Sequence, residues 1–302
     1  MTMIPTNDYE QQLAGEAELW GTDAERQAQE TPPDWRYHRS LRHNIIYHQA
    51  DIDAFLEHVQ PSMATLELGC ASGWLTLAMA QRGANATGMD ISDKALNVAR
   101  RYYETIQETV NGSVTYEVAD LNTLELPAAT YDVIAVKGTL HHLVRMDHVI
   151  AQIYKALKPG GLLWASDSHG EESLPTVLVA SGLMFLLPTQ VSYGEKLRGL
   201  LRFGLKSPSR IKASIEAEGL SPFEGAGREH DWVKLIGERF TVERRVDSPA
   251  VTGYITHQVK LPDWAALPLL HGLCAVDRLL VRFKLLRNTG VILYARKTAG
   301  EQ

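Results

Sequence analysis

Short apolar runs and helix-like segments alternate along the middle of the chain. Between residues 61 and 169, five runs rich in aliphatic and β-branched residues are separated by longer stretches with helical spacing. The runs are residues 65–68, 86–89, 114–118, 133–136 and 162–165. Strands that alternate with helices imply right-handed crossovers and a parallel sheet. The pattern therefore predicts a doubly wound α/β core.

Two of the intervening stretches carry clear helix signals. The helix that begins near Ser92 has an apolar stripe with steps of three or four: Ala95, Ala99, Tyr102, Ile106 and Val110. A second helix, residues 147–157, stops at a Lys-Pro-Gly-Gly sequence, which is a strong helix terminator.

The flanking zones extend this core. Residues 1–60 are polar with periodic apolar positions towards their end, and we interpret them as an N-terminal helical lid segment. Residues 61–169 form the ligand-binding core, and residues 170–239 are interpreted as a helical insertion on the substrate side. Residues 240–302 supply the last two core strands, with a helical insertion at 248–288. The prediction is a seven-stranded, mostly parallel sheet with N-terminal helices and helical insertions.

Composition and charge narrow the classes of function. The 302 residues are 45% hydrophobic and 22% charged, with a net charge of −6, so neither disorder nor a phosphate-gripping basic surface is expected. Two distant cysteines and the lack of a zinc-binding Cys pattern fit a reducing cytoplasm and no bound metal. The N-terminus lacks the layout of a signal peptide. The longest apolar stretch, residues 174–187, is shorter than the roughly 20 residues that span a bilayer.

The most informative segment is Leu-Glu-Leu-Gly-Cys-Ala-Ser-Gly-Trp, residues 66–74, which follows a predicted strand and opens a helix. Glycines there allow a tight turn and close approach of a ligand to the backbone. Ala71 replaces the second glycine of the dinucleotide fingerprint, and no triphosphate-binding loop is present. Asp90 ends the second strand, where a carboxylate accepts hydrogen bonds from ribose hydroxyls. A nucleoside ligand without a pyrophosphate is therefore favoured.

These residues resemble the Glu/Asp-x-Gly-x-Gly-x-Gly signature of class I (Rossmann-like) S-adenosylmethionine-dependent methyltransferases, of the type that acts on small molecules. Four further landmarks of that family follow in order: residues 88–92, 119–121, 131–143 and 157–162. The landmarks of the resemblance lie within residues 66–167, and the resemblance extends to the last two predicted strands. It implies the seven-stranded fold described above, S-adenosyl-L-methionine as cofactor and methyl transfer as activity.

The resemblance also implies roles for individual residues. Gly69 and Gly73 would admit the methionine part, Asp90 would hold the ribose, and Asp120 would accept from the adenine amino group. The full set that it assigns to the cofactor is Glu67, Gly69, Cys70, Ala71, Gly73, Asp90, Ile91, Asp120, Leu121, Lys137, Gly138 and His142.

A general base is harder to assign from the sequence. His141 follows the fourth strand and His169 follows the fifth, so both are expected near the ligand end of the sheet. A histidine there can remove a proton from a hydroxyl or an amine. His169, with Asp167 close by in sequence, is the narrowly preferred candidate, and a purely structural role for either histidine stays open.

The two insertions leave from the ligand side of the sheet. Residues 174–187 are almost wholly apolar, whereas residues 264–286 mix apolar and charged positions. These segments are interpreted as a hydrophobic lid over a lipophilic acceptor, as a basic amphipathic surface that touches a membrane, or as ordinary helical core with a charged outer face. The last interpretation is favoured, and a peripheral membrane contact stays open.

The sequence thus predicts methyl transfer to an oxygen or nitrogen of a small organic acceptor, lipophilic ones included, in the cytoplasm and without nucleic acid as a partner. A carbon acceptor such as a quinone-like ring is the nearest alternative. A non-catalytic protein that binds S-adenosylmethionine is an alternative of another class, and a nicotinamide oxidoreductase is disfavoured by Ala71. The oligomeric state is left open.

Overall fold

A seven-stranded sheet organises the molecule. The computed structural model describes residues 6–30, 41–169, 173–203, 222–223 and 231–298. Strand order in the sheet is β3-β2-β1-β4-β5-β7-β6, and β7 alone runs antiparallel to its neighbours. The strands are β1 (Ala64–Leu68), β2 (Asn85–Asp90), β3 (Ser113–Val118), β4 (Tyr131–Lys137), β5 (Leu157–Ser168), β6 (Thr241–Asp247) and β7 (Gly290–Arg296). The predicted fold class is confirmed.

Helices cover both faces of the sheet and extend beyond its carboxyl edge. They are α1 (Thr6–Glu30), α2 (Leu41–His43), α3 (Gln49–Leu56), α4 (Trp74–Gln81), α5 (Asp93–Ile106), α6 (Met146–Ala156), α7 (Leu174–Leu186), α8 (Tyr193–Phe203), α9 (Trp232–Arg239), α10 (Thr252–Ile255) and α11 (Asp263–Arg282). A π-helical turn, Asn44–His48, joins α2 to α3. Short 3₁₀ turns lie at Gln107–Thr109 and Leu140–His142. The predicted limits of the four chain segments stay predictions.

Alternation along the central strands divides the core into two layers, because successive side chains point to opposite faces of a sheet. On one face, Trp164 of β5 stacks on Phe55 of α3 with ring centroids 4.4 Å apart. On the other face, Leu163 and Ile134 pack in a cluster that includes residues of α6 and α9. The strands are apolar on both faces because helices cover both, as expected for parallel strands.

The Lys-Pro-Gly-Gly sequence has a second role beside ending α6. Strand β5 begins at Leu157, five residues earlier than predicted, because Leu157 pairs with Tyr131. The register then jumps, so that Leu162 pairs with Val133 and residues 158–161 bulge out of the ladder. Gly160 supplies a backbone φ of 75° within this bulge, where a side chain would be strained.

The two predicted insertions form one helical unit, by which we mean α7, α10 and α11. Their inner faces share an apolar cluster in which Leu183 of α7, Ile255 of α10 and Leu270 of α11 take part. The favoured interpretation of a charged outer face is wrong for α11, because its outer positions include exposed Trp264 and Phe283. Helix α11 is also long and apolar enough, by length and composition, to cross a bilayer, unlike residues 174–187.

Asp277 of α11 holds the start of α10 within the helical unit. Its buried carboxylate accepts hydrogen bonds from the backbone N–H groups of Ala250, Val251 and Thr252 at 2.7–3.0 Å, and from the Thr252 hydroxyl at 2.8 Å. These donors lie at the start of α10, just after β6. The single side chain therefore positions α10 against α11.

We expect Asp277→Asn to lower the free energy of unfolding by about 2–4 kcal/mol, because the amide group leaves buried N–H donors without an acceptor. The matched control is Asp263→Asn on the same helix. Asp263 pairs with Arg42 at 2.6 Å but is exposed, so we expect a loss below about 1 kcal/mol. Urea denaturation of both variants measures the difference. Equal losses would contradict the positioning role of Asp277.

Candidate functional site

In the loop between β1 and α4, three alternate residues have a left-handed backbone conformation. Gly69, Ala71 and Gly73 have backbone φ values of 74°, 45° and 72°. A Cβ at Gly69 would collide with the side chain of Thr139, and one at Gly73 with the ring of Tyr116. These two positions therefore require glycine, whereas Ala71 occupies the left-handed region at a cost of roughly 1 kcal/mol.

Asp90 ties this loop to the neighbouring strand. Its carboxylate accepts from the backbone N–H of Ala71 at 2.8 Å and from that of Ser92 at 2.9 Å. Burial raises the pKa of Asp90, and these backbone hydrogen bonds act in the opposite direction. The carboxylate lies at the carboxyl edge of β2, as the sequence predicted.

A cavity of about 820 Å³ opens at this edge, within the range of roughly 300–1,000 Å³ that is usual for small-molecule sites. Most of the sequence-predicted residues line it: Glu67, Gly69, Cys70, Ala71, Asp90, Ile91, Asp120, Leu121, Lys137, Gly138, His141 and His142. Gly73 and His169 do not line it. Gly73 instead precedes α4 and shapes the loop.

Glu67 lies at the floor of the cavity next to the glycine loop. Its carboxyl group accepts from the backbone N–H of Thr76 at 2.7 Å and from the Thr76 hydroxyl. Burial raises the pKa of Glu67 to about 8, although the hydrogen bonds from Thr76 lower it. Lys137 borders the same space, with its ammonium group 5.7 Å from the Trp74 ring centroid. A cationic ligand group placed near Glu67 would favour its ionised form.

Helix α1 covers the end of the cavity where Asp120 lies. The Tyr9 hydroxyl donates to both carboxylate oxygens of Asp120, at 2.9 and 3.0 Å. Burial and the hydrogen bond to Asp120 raise the pKa of Tyr9. Asp120 also accepts from the backbone N–H of Asn122 and the Thr123 hydroxyl, so it is held firmly in place.

A second contact from α1 reaches His142. The Glu16 carboxylate lies 3.2 Å from His142 Nδ1 and accepts from the Trp20 indole at 2.7 Å. The Trp20 ring meets the His142 ring edge-on at 5.6 Å. Sequence reasoning missed these residues, although a Trp four positions after a Glu in an otherwise polar segment was a usable signal.

His141 is paired with a buried carboxylate that the sequence analysis had not assigned to it. His141 Nδ1 lies 2.6 Å from Asp167 Oδ1, and the Asp167 side chain is fully buried. Burial opposes ionisation of Asp167, but the hydrogen bond and charge of His141, with backbone N–H groups, outweigh it and lower its pKa. If Nδ1 carries the proton that Asp167 accepts, Nε2 is the proton-accepting nitrogen of the ring.

His169, the preferred base in the sequence analysis, lies elsewhere. Its backbone N–H donates to the Thr289 carbonyl at 3.2 Å, which continues the pairing between the chain after β5 and the start of β7. Its ring meets Trp232 of α9 edge-on at 5.9 Å. The His169 ring thus packs against α9 and does not line the cavity, whereas His141 does line it.

Away from the end where Asp120 lies, the cavity has an aromatic wall. His43 is stacked between Tyr47, at 5.0 Å, and His257, at 4.4 Å, with interplanar angles of 16° and 20°. His43 Nδ1 also lies 2.7 Å from the Thr256 hydroxyl. All three rings line the cavity, together with Tyr254 of α10. This wall comes from α2, the π-helical turn, α10 and the residues just after α10, which the sequence analysis did not bring together.

The residues at the sheet end fit S-adenosylmethionine. Asp90 and Asp120 are carboxylates that suit the ribose hydroxyls and the adenine amino group. Ile91 and Leu121 are apolar and suit the faces of the base. The backbone at Gly69 is open to the cavity because no Cβ shields it. The chemistry of this donor and acceptor set therefore agrees with the expected cofactor.

A Tyr-x-x-x-Lys spacing of the kind used by some nicotinamide oxidoreductases occurs at Tyr154 and Lys158, away from the cavity. The Tyr154 hydroxyl lies 3.4 Å from that of Thr298, and Lys158 pairs with Asp132 at 2.8 Å. Neither residue lines the cavity. The pair therefore gives no support to hydride-transfer chemistry.

Comparison with known proteins agrees with this geometry. Residues 66–165 match the family model described as a methyltransferase domain. The chain is 31% identical over 158 residues to the ubiquinone biosynthesis O-methyltransferase of Coxiella burnetii. This alignment covers 51% of this chain and 62% of that protein. The protein of the same name from Bordetella avium is 29% identical over 175 residues, which cover 57% of this chain and 67% of that protein. The match thus spans a little under two thirds of the Coxiella relative.

Among solved structures, the geranyl diphosphate C-methyltransferase of Streptomyces coelicolor A3(2), with Mg²⁺, geranyl diphosphate and S-adenosyl-L-homocysteine, has a TM-score of 0.50. Sequence identity is 14%, and the match covers 83% of this chain and 79% of that chain. This likeness shows the fold. Residues 66–165 thus match a methyltransferase domain by sequence, and the chain shares the fold of this solved structure.

Proposed function

We propose that this protein transfers a methyl group from S-adenosyl-L-methionine to an oxygen of a small aromatic acceptor. The observation that carries the proposal is the His141–Asp167 pair, which lies in the same cavity as the glycine loop and Asp90. The pair places a proton acceptor in the cavity that also holds the residues suited to the cofactor.

The bound cofactor supplies an electrophilic methyl group on a sulfonium centre. Asp90 and Asp120 hold the nucleoside, and the glycine loop lets the methionine part lie against the backbone. Positioning of this kind is a large part of catalysis when the electrophile is already reactive, because it removes the entropic cost of bringing two molecules together. Helix α1 helps to exclude water from this end through Tyr9 and Glu16.

His141 acts as the general base in this proposal. Asp167 fixes the ring through Nδ1 and favours the protonated imidazole that forms when Nε2 takes a proton from the acceptor hydroxyl. Asp167 itself is held by the backbone N–H of Leu140 at 2.6 Å and that of Ser168 at 2.5 Å. A rigid, buried carboxylate of this kind keeps the base in one orientation.

The acceptor occupies the end of the cavity walled by His43, Tyr47, Tyr254 and His257. Flat rings favour a flat aromatic acceptor, because stacked and edge-on ring pairs are stabilising. Two relatives are named ubiquinone biosynthesis O-methyltransferase, which supports an oxygen as the methylated atom. A cytoplasmic site of action belongs to the proposal, since Cys70 and Cys274 are buried and form no disulfide.

We expect Asp90→Asn to weaken S-adenosylmethionine binding about 10- to 100-fold, because hydrogen bonds to a charged acceptor are worth about 1.5–3 kcal/mol each. The matched control is Asp93→Asn. Asp93 is exposed at the start of α5 and pairs with Arg100 at 2.9 Å, away from the cavity lining. Titration calorimetry measures affinity for S-adenosylmethionine, S-adenosylhomocysteine and NADH.

A thermal melt shows whether the Asp90→Asn variant is folded. Undiminished affinity in a folded variant would contradict the assignment of Asp90. Binding of NADH alone by the unaltered protein would contradict the proposed function itself.

We expect His141→Asn to lower kcat about 10²- to 10⁴-fold, the usual contribution of a general base. His169→Asn should leave kcat nearly unchanged, because His169 lies outside the cavity lining. The assay follows S-adenosylhomocysteine formation with a panel of phenols and catechols, and mass spectrometry locates the new methyl group.

The pH profile separates a base from a structural histidine. Activity of the unaltered protein should fall on acidification as the His141 ring becomes protonated, and the residual activity of His141→Asn should lack that fall. A ring-carbon product would support the C-methyltransferase alternative instead. Absence of turnover with every acceptor, despite tight cofactor binding, would favour a non-catalytic binding protein.

A further inference from the structure

Exposed large apolar side chains are concentrated on the helical insertions rather than around the sheet. Seventeen such residues are exposed in the described part of the chain, and thirteen of them lie within residues 174–197 or 264–285. Soluble monomers rarely expose contiguous apolar patches of more than a few hundred Å² unless the patch binds something. The outer surface of the insertions is therefore a candidate interaction face.

Helix α11 is apolar on two faces. Its inner face, with Ala266, Leu270 and Cys274, is buried against the helical unit. Its outer face carries Trp264, Val276 and Leu279, and Phe283 extends this stripe just past the end of the helix, with exposed fractions of 51–80% for the four side chains. We call these four residues the outer stripe. Because 22% of the most apolar window of α11 is buried, burial in the protein core does not account for its composition.

Cationic side chains accompany the outer stripe. Residues 252–287 carry five Lys and Arg but two Asp, in a chain with a net charge of −6. Asp277 is buried and Asp263 is paired with Arg42, so neither offsets the exposed cations. Arg282 and Lys284 lie beside Phe283, are exposed, and form no ion pair with any described residue.

We propose that the outer stripe of α11 docks onto the surface of an anionic phospholipid bilayer. An apolar stripe flanked by Lys and Arg, with a tryptophan at one end, is the composition of helices that lie in the membrane interface. Trp264, Leu279 and Phe283 enter the boundary between headgroups and acyl chains, while Arg282 and Lys284 contact anionic headgroups. The local excess of cations favours an anionic bilayer, because these cations would not attract an uncharged apolar partner.

The helix lies along the bilayer surface and does not cross it. Asp277 on the inner face accepts four hydrogen bonds from residues 250–252, which hold α11 against the protein. A spanning orientation would break them and place a carboxylate in hydrocarbon, which is strongly unfavourable. Docking through the outer stripe leaves every one of these hydrogen bonds in place.

This location also bears on how an acceptor reaches the site. Helix α10 carries Tyr254 on the cavity wall, and Ile255 of the same helix packs in the apolar cluster with α11. The docked face is thus one helix away from the acceptor end of the cavity. Docking does not rest on the proposed activity, but together the two imply an acceptor drawn from the lipid phase.

The experiment measures sedimentation of the full-length protein with vesicles of phosphatidylcholine alone or with about 30% phosphatidylglycerol, an anionic surface. We expect binding to the anionic vesicles that weakens as salt is raised. Val276→Asp should reduce this binding about tenfold or more, because a charge enters the apolar stripe. The matched control, Val242→Asp, places the same charge on an exposed valine of β6 and should bind as the unaltered protein does.

Several results would overturn the proposal. No binding of the unaltered protein to anionic vesicles would do so, as would equal losses in the two valine variants. A dimer in analytical ultracentrifugation that Val276→Asp dissociates, without vesicle binding, would assign the stripe to a second copy of the chain. Retention in the membrane after alkaline carbonate washing would show a spanning helix. Calorimetry with S-adenosylmethionine confirms that Val276→Asp keeps the cofactor site intact, so failure of docking is distinct from failure of the proposed function.

Discussion

Buried aspartates hold the loops that enclose the cavity. Tight turns at the carboxyl edge of a parallel sheet leave backbone N–H groups without strand partners, and such groups must be satisfied when they are buried. Asp90 at the end of β2 accepts from the loop after β1, and Asp167 near the end of β5 accepts from the loop after β4. Asp277 serves the loop after β6. In each case a neighbouring element supplies the acceptor.

This arrangement gives two of the aspartates a double role. A carboxylate can accept about four hydrogen bonds. The loop N–H groups use only some of these positions on Asp90 and Asp167. Asp90 therefore also lines the cavity, where it is proposed to hold the ribose, and Asp167 holds the His141 ring. The groups that shape the backbone are thus the groups that carry the proposed chemistry. Their substitution is expected to affect folding and function together, which is why variants must be compared with folded controls.

The sheet and the glycine loop could be predicted because their signals are local. Alternating strands and helices, the glycines at 69 and 73 and Asp90 lie within one stretch of chain, and topology brings them to one edge. The surroundings of His141 and His169 could not be predicted in the same way, because both residues follow a strand. The His141 ring is held by Asp167, 26 residues further along the chain, and the His169 ring packs against Trp232 of α9.

Contacts of α1 were beyond sequence reasoning for the same reason. Tyr9 donates a hydrogen bond to Asp120, 111 residues away in sequence, and hydrophobic periodicity cannot predict such a contact. The character of α11 was misjudged on different grounds. Apolar residues recur on both of its faces, so periodicity alone cannot tell a core stripe from an exposed one. Ala266, Leu270 and Cys274 are buried on the inner face, whereas large apolar side chains such as Trp264 and Leu279 are exposed on the outer face.

The family match covers only some of the residues that line the cavity. The family match covers residues 66–165, which include the glycine loop, Asp90, Asp120 and His141. His43, Tyr47, Tyr254 and His257 line the cavity but lie outside that range. The family match therefore includes the residues proposed to bind the cofactor and none of the aromatic residues proposed to bind the acceptor. Because Asp277 of α11 holds the start of α10, the helix that carries Tyr254 is joined directly to the helix that carries the proposed membrane face, and a shift of one is expected to move the other.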